Sequence, residues 1–253
     1  MVTPAITILM AAINSITPVK PMPKTKVCLS QKTLAGLGIL LCSGLLALSV
    51  PRFIASIYAL YPVAVYNDNQ DTLTAAIYEK SIQDLNEALT WQQEPEYLKK
   101  QSYFYLKLFA LETLQTQAQK KARLIQAQTA IINSLALSPI DPHGWLQLAE
   151  IDEQLNQPKQ QIIEALRLSF YAGRVEPELV IPRLLLSYKY YPDFTLDMQK
   201  DWQKQVLIAW TVKAPQLLEF IALHPDAQAI ALTAFDNSPD EAAKFLTQVN
   251  KKK

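Results

Sequence analysis

One uncharged apolar run at positions 34–50, LAGLGILLCSGLLALSV, constrains this chain more than any other feature. Before it lies a leader with Lys20, Lys24, Lys26 and Lys32 and no acid. After it come Pro51 and Arg52, then a second apolar stretch over 53–65. About 17–25 apolar residues suffice to cross a bilayer as a helix. Positions 34–50 just reach that length, and with Pro51 and part of 53–60 they reach it comfortably. Because the lysines precede the run, the positive-inside rule predicts a cytoplasmic N-terminus. The expected organisation is a cytoplasmic leader over 1–33, expected to be disordered, an anchor over 34–60, and a helical-repeat domain over 67–250 on the far side.

A cleavable signal peptide is the rival reading. Ala47 and Ser49 place small residues where a signal peptidase reads, and positions 34–46 have the length of a signal core. The apolar sequence continues past that cut and the leader is long, so a retained anchor is preferred. A lipoprotein reading is disfavoured, because Leu41 precedes Cys42 where a small residue would be needed. The segment 5–16 is too short to span. Met22 opens a conventional start directly before the anchor, so either Met1 or Met22 can be the true start. In each case the folded part is exported.

The chain is 50% hydrophobic and 19% charged, with a formal net charge of +1. Without leader and anchor roughly 190 residues remain, enough for one domain with a sizeable core. Near-neutral charge argues against a nucleic-acid partner, which calls for a basic stripe. Lys251, Lys252 and Lys253 are expected to form a frayed tail. The only cysteines are Cys28 and Cys42, so the exported part can form no disulfide and depends on packing.

Beyond the anchor the only glycines are Gly144 and Gly173, while Gln, Leu and Ala are abundant. That composition favours helix over strand. Prolines announce helix starts at Pro95, Pro142, Pro158, Pro177, Pro215, Pro225 and Pro239, where a missing N–H costs nothing. Asp141 is placed to cap one of these helices. Ser238 and Glu241 read as a capping box. Gly173 reads as a left-handed helix stop. The apolar period is helical over about 72–91, 95–116, 122–137, 142–155, 158–172, 177–190, 195–212, 215–223, 225–235 and 239–249. Pro182 inside the sixth of these predicts a kink or a late start.

The expected fold is therefore all-α: an N-terminal transmembrane helix followed by a degenerate tetratricopeptide-like array of helical hairpins. NSLALS at 133–138 aligns with EALRLS at 164–169, about 31 positions apart, near the tetratricopeptide period of 34. Trp145 with Leu148 and Ala149 fits the aromatic position of a repeat's first helix. Trp145 is accordingly expected in the core, bridging the third, fourth and fifth helices. A closed bundle is the alternative.

Three stretches carry a more specific likeness: AAIY to LTW over 75–91, LSPIDPHGWLQLA over 137–149, and EALRLS with EPEL and Pro182-Arg183 over 164–183. Together they resemble the Vps-type polysaccharide biosynthesis proteins, small membrane proteins of bacterial exopolysaccharide systems. The likeness extends over most of 71–212. Gly144, where a larger residue is expected, and the loop at Gln157-Pro158 depart from that pattern. The resemblance implies one N-terminal membrane helix, a tetratricopeptide-like remainder, and a place in the Gram-negative envelope in making or exporting a surface polysaccharide. It implies no catalytic residue and no cofactor.

Chemistry-bearing residues are sparse. His143 and His224 are the only histidines and have no neighbours at metal-ligand spacing. No nucleophile elbow appears, and Gly36 and Gly38 lie inside the apolar run, where no phosphate loop can form. Glycosidase chemistry needs two facing carboxylates. Glu150 and Glu153 share a helix face, though a solvated face accounts for them more simply, and Glu176 and Glu178 suit a helix N-terminus. Aromatics are the better lead. Tyr188, Tyr190 and Tyr191 are the candidate partner-binding residues, with Tyr190, Tyr191 and Pro192 at a helix end expected as an exposed patch. Small residues at Gly38, Cys42, Ser43 and Ala47 give only a weak signal for helix pairing in the membrane. The expected function is that of a non-enzymatic interaction protein at the inner membrane with its main domain in the periplasm. It would hold protein subunits of a polysaccharide assembly or export machine. A glycan-acting envelope enzyme and a general envelope assembly factor are the alternatives.

Overall fold

A computed structural model describes residues 29–68, 74–111 and 116–252. The leader up to position 28, with Cys28, lies outside the described residues, as do Lys253 and the expected helical turns at 72–73 and 112–115. Every regular element among the described residues is helical. The chain divides into two compact units, one ending at Ser49 and one beginning at Val50.

Helix α1 is a single element, Leu29–Asn67, which contains both Pro51 and Pro62. Its apolar stretch makes it the one described helix long and apolar enough to cross a membrane. The helix continues past position 60, where the expected anchor ended. From Val50 onward it belongs to the second unit, where Ala55 and Ala59 are buried together with Ala88.

In the second unit ten further α-helices follow: α2 Ala75–Trp91, α3 Pro95–Ala110, α4 Gln117–Leu137, α5 Pro142–Gln154, α6 Lys159–Ala172, α7 Pro177–Ser187, α8 Leu196–Val212, α9 Ala214–Leu223, α10 Pro225–Leu232 and α11 Pro239–Lys252. Two short 3-10 helices, Tyr188–Asp193 and Thr233–Phe235, extend α7 and α10. Helices α2 to α6 each pack on the next in sequence, with α3 on α4 and α5 on α6 the most extensive pairs. Beyond α8 the series closes on itself. Helix α9 touches α7, α8, α10 and α11, and the rings of Trp210, Phe235 and Phe245 pack together there.

Local chemistry explains most of the boundaries. Prolines open α3, α5, α7, α10 and α11, and the Asp141 carboxylate accepts the His143 N–H at 3.1 Å, as its capping position predicts. Two buried serines hold the hairpins in the same way. Ser134 of α4 donates to the Pro95 carbonyl that opens α3, and Ser169 of α6 donates to the Pro142 carbonyl that opens α5, both at 2.8 Å. These bonds relate Ser134 to Ser169, one helical turn away from the alignment of Ser138 with Ser169 suggested by sequence.

Several local expectations are corrected. Gly173 has φ −147° and is not left-handed. A Cβ there would sit 2.8 Å from the Pro142 ring, so glycine is required by close approach to the start of α5. The left-handed residue is Asn156, at φ 54° after α5, a conformation asparagine tolerates. The capping box at Ser238 does not form. The Ser238 N–H bonds to Phe235 O at 2.8 Å, while Glu241 accepts the Trp210 indole N–H at 2.9 Å and binds Lys244. A capping box occurs instead at Thr116 and Gln119. Helix α7 begins at Pro177 and runs through Pro182, and Lys251 and Lys252 belong to α11 rather than to a frayed tail. Trp145 is only half-buried, its indole N–H donating to Pro139 O at 2.8 Å. The core tryptophan is Trp202, which is 0% exposed.

Candidate functional site

The helical period selects which side chains meet in one concavity of the second unit. On α3, Glu96, Lys99, Tyr103 and Leu106 recur at intervals of three and four and so share one face. On α5, His143, Leu146, Gln147 and Glu150 do the same. With Tyr66 near the end of α1, and Leu179 and Pro182 on α7, these faces enclose a cleft of about 410 Å³. The cleft is thus built by alternate helices α3, α5 and α7, each the first member of a pair. Its floor and walls are mixed, with leucines and a proline beside two tyrosines and four titratable groups.

Most of its charges are internally satisfied. Lys99 Nζ lies 3.0 Å from Asp141 Oδ2 and 2.5 Å from Glu96 Oε1. The residue that caps α5 therefore also anchors α3. Lys100 reaches the other Glu96 oxygen at 3.1 Å and lies over the Tyr66 ring, 4.7 Å from its centroid. Tyr66 and Tyr103 meet edge to face at 4.8 Å. Burial works to raise the Glu96 carboxyl, but hydrogen bonds from Lys99 and Lys100 hold it below its ordinary value.

Glu150 differs. It is half-buried, and among the described residues nothing donates a hydrogen bond to its carboxylate. Burial, and then the neighbouring Glu153, push its pKa above the ordinary value. A second concavity contains Glu150 and Pro182 again, with Glu153, Leu185 and Leu186, and so continues the first. Glu153 is occupied: it pairs with Lys189 and accepts the Tyr190 hydroxyl at 3.1 Å. Two residues on, and so on the opposite side of α5 from Glu150, Asp152 is fully buried and accepts amide N–H groups from Gln128 at 2.6 Å and Gln161 at 3.0 Å, tying α4, α5 and α6 together. Burial raises its pKa as well, against the lowering effect of the two amides.

The raised carboxyls fix a sign for pH dependence. A folded pKa above the unfolded value, ordinarily 3.8 for Asp152 and 4.5 for Glu150, means the native state holds the proton more tightly. Their stabilisation is complete below the unfolded values and is lost as pH rises through the folded ones. Glu96 has the opposite sign and loses its stabilisation as pH falls. Glu150→Gln should therefore gain stability relative to wild type as pH rises above the ordinary carboxyl value of 4.5. Guanidinium midpoints of the full chain in detergent check this, and a difference independent of pH would mean that Glu150 is solvated.

Tyr190 and Tyr191, expected in an exposed patch, are instead half-buried in the 3-10 turn at Tyr188–Asp193, and with Tyr188 they pack on the main core, while Pro192 is exposed. The Tyr188 hydroxyl is 2.9 Å from His224 Nδ1. Tyr190 donates to Glu153, and burial followed by that carboxylate pushes its phenol up to about 12. Tyr191 lies edge-on to Trp202 at 5.2 Å. The structure thus brings His143 and Glu150 into the cleft and leaves Tyr188, Tyr190 and Tyr191 outside its lining. Sequence reading missed Tyr66, Lys99, Tyr103 and Gln147. The polar face at Glu96, Lys99 and Tyr103 was visible in the spacing, but nothing marked it as facing α5. Among the described residues no cluster of three His, Cys, Asp or Glu side chains is arranged to hold a metal ion.

Comparison with protein-family models and with curated proteins finds no match to this chain.

Proposed function

We propose that this chain is a non-enzymatic interaction protein, anchored in the inner membrane by α1, that binds a partner segment in the cleft of α3, α5 and α7. The cleft carries this reading. It is an open trough whose lining mixes leucines and a proline with polar groups, and among the described residues Glu150 is its one carboxylate lacking an internal donor. An extended segment with apolar side chains and one Lys or Arg fits that chemistry, since pairing an isolated half-buried carboxylate is favourable. Alternate helices of hairpins in series are suited to forming such binding surfaces. The lysine asymmetry of the sequence supports a cytoplasmic N-terminus and a periplasmic main domain. The resemblance in sequence to Vps-type proteins supports a Gram-negative exopolysaccharide assembly or export machine as the source of the partner.

One observation favours a second reading, an enzyme acting on envelope glycan. Glu150 and Glu153 border one concavity, and burial pushes the Glu150 carboxyl above its ordinary value, as the acid of a carboxyl pair requires. The binding reading is preferred because Glu153 is already engaged by Lys189 and Tyr190. A photo-crosslinking residue at Gln147, inside the cleft, should yield one discrete adduct with a machine subunit in living cells. The same residue at Tyr171, exposed and outside the cleft, should yield none. Equal labelling from both positions would remove the cleft from the account.

A further inference from the structure

Within the second unit α1 shows two faces. Ala55, Ala59, Pro62 and Val65 are buried in the protein. On another face, Phe53 is 67% exposed, Ile57 50%, Leu60 69% and Tyr61 43%. Their spacing of four, three and one places them on a single stripe. An apolar stripe of that length is costly to leave in water.

Bilayer dimensions say what covers it. At ~1.5 Å per residue, about 20 residues cross the ~30 Å hydrocarbon core. Counted from Leu34, the first residue after the last leader lysine and Thr33, they end at Phe53. Positions 34–61 cover roughly 42 Å, matching the ~40–45 Å of core plus headgroup layers. Arg52 then falls at the far core boundary, where a long basic side chain can reach phosphates. Tyr58 and Tyr61, both exposed, fall in the headgroup layer, where amphipathic rings concentrate. Trp91, 46% exposed, lies one turn beyond Ala88, the residue buried with Ala55 and Ala59.

We propose that the stripe Phe53, Ile57, Leu60 and Tyr61 is a lipid-binding surface seated in the outer headgroup layer of the membrane that α1 crosses. Arg52 contacts lipid phosphates at its edge. This rests on the anchor reading of α1 but is independent of what the cleft binds.

Spin labels on single cysteines test it. The full chain, with Cys28→Ser and Cys42→Ser, is reconstituted in vesicles of phosphatidylethanolamine and phosphatidylglycerol. Labels are placed at Ile57, Leu60 and, as a solvent control, Ile140. Circular dichroism verifies the fold, and intact mass verifies that positions 34–50 are retained. At Ile57 and Leu60, accessibility to oxygen relative to a water-soluble nickel reagent should exceed that at Ile140 several-fold. Nickel access equal to Ile140, in protein of intact mass, overturns the lipid surface and leaves the anchor standing. A mass lacking the run overturns the anchor and the lipid surface together. Exclusion of both reagents with spin–spin broadening overturns the lipid surface in favour of a second copy of this chain.

Discussion

Trp202→Ala should lower the unfolding free energy by roughly 3–5 kcal/mol, the cost of emptying a fully enclosed aromatic site. Trp202 sits on α8, fully buried, with Tyr191 edge-on to it and the α9 residues Leu217 and Ile221 in the same core. Its indole N–H is buried and has no acceptor among the described residues. Trp202→Phe therefore removes an unsatisfied donor along with some volume, and should cost less than half as much as alanine. Trp145→Ala, at a half-buried site, should cost less than Trp202→Ala. Denaturation of the full chain in detergent, followed by circular dichroism, gives all three values. A cost for Trp202→Ala below about 1 kcal/mol would mean that α8 is not packed as described.

Arg183 carries the second large effect. It is fully buried, yet no carboxylate pairs with it among the described residues. Its guanidinium donates to Gly173 O at 2.7 Å, to Ser169 Oγ at 3.0 Å, to Gln205 Oε1 at 3.4 Å, and to Ser169 O. The two backbone carbonyls belong to the last turn of α6 and the residue just after it, so the negative end of that helix serves as counter-charge. Burial lowers the guanidinium pKa to about 10, partly opposed by Glu176, and the group stays charged at neutral pH. Arg183→Ala leaves these acceptors buried and unpaired beside a cavity. A loss of about 3–4 kcal/mol is expected. Arg183→Met restores volume without donors and should fall between alanine and wild type. Methionine equal to wild type would show that the fork of hydrogen bonds contributes nothing net, as happens at some buried charged sites.

These two residues also show where sequence reading stops. The helices were legible because their causes are local: proline at the first turn, Asp141 as a cap, and an apolar period of 3.6. Errors at their ends were local as well. Glycine serves as a left-handed stop at many helix ends, and the sequence at Gly173 suggests that role. Its actual constraint is the Pro142 ring, which reaches it only after α5 and α6 have paired. The spacing of Ser238 and Glu241 suggests a cap for their own helix, but Trp210 of α8 and Lys244 occupy Glu241. Trp145 and Trp202 both sit in helical apolar patterns, and only the packing of α7, α8 and α9 decides which one is enclosed. Arg183 carries a residue type that composition places on the surface, so its burial is legible only once the end of α6 is in place. The cleft depends on three helices separated by others in sequence. Glu150 and His143 were visible as candidates, but their neighbours Tyr66, Lys99 and Tyr103 were not. A place at a helix end suggests exposure for Tyr190 and Tyr191, and only their packing against the core shows that they are half-buried.

Glu150→Gln separates binding from catalysis most directly. In cells carrying that replacement in folded protein, the adduct formed through Gln147 and the amount of exported polysaccharide are measured together. The binding account predicts that both fall several-fold and in step, because one unpaired carboxylate serves the partner segment. Abolished polysaccharide with an undiminished adduct would contradict it and make Glu150 the acid of an enzyme.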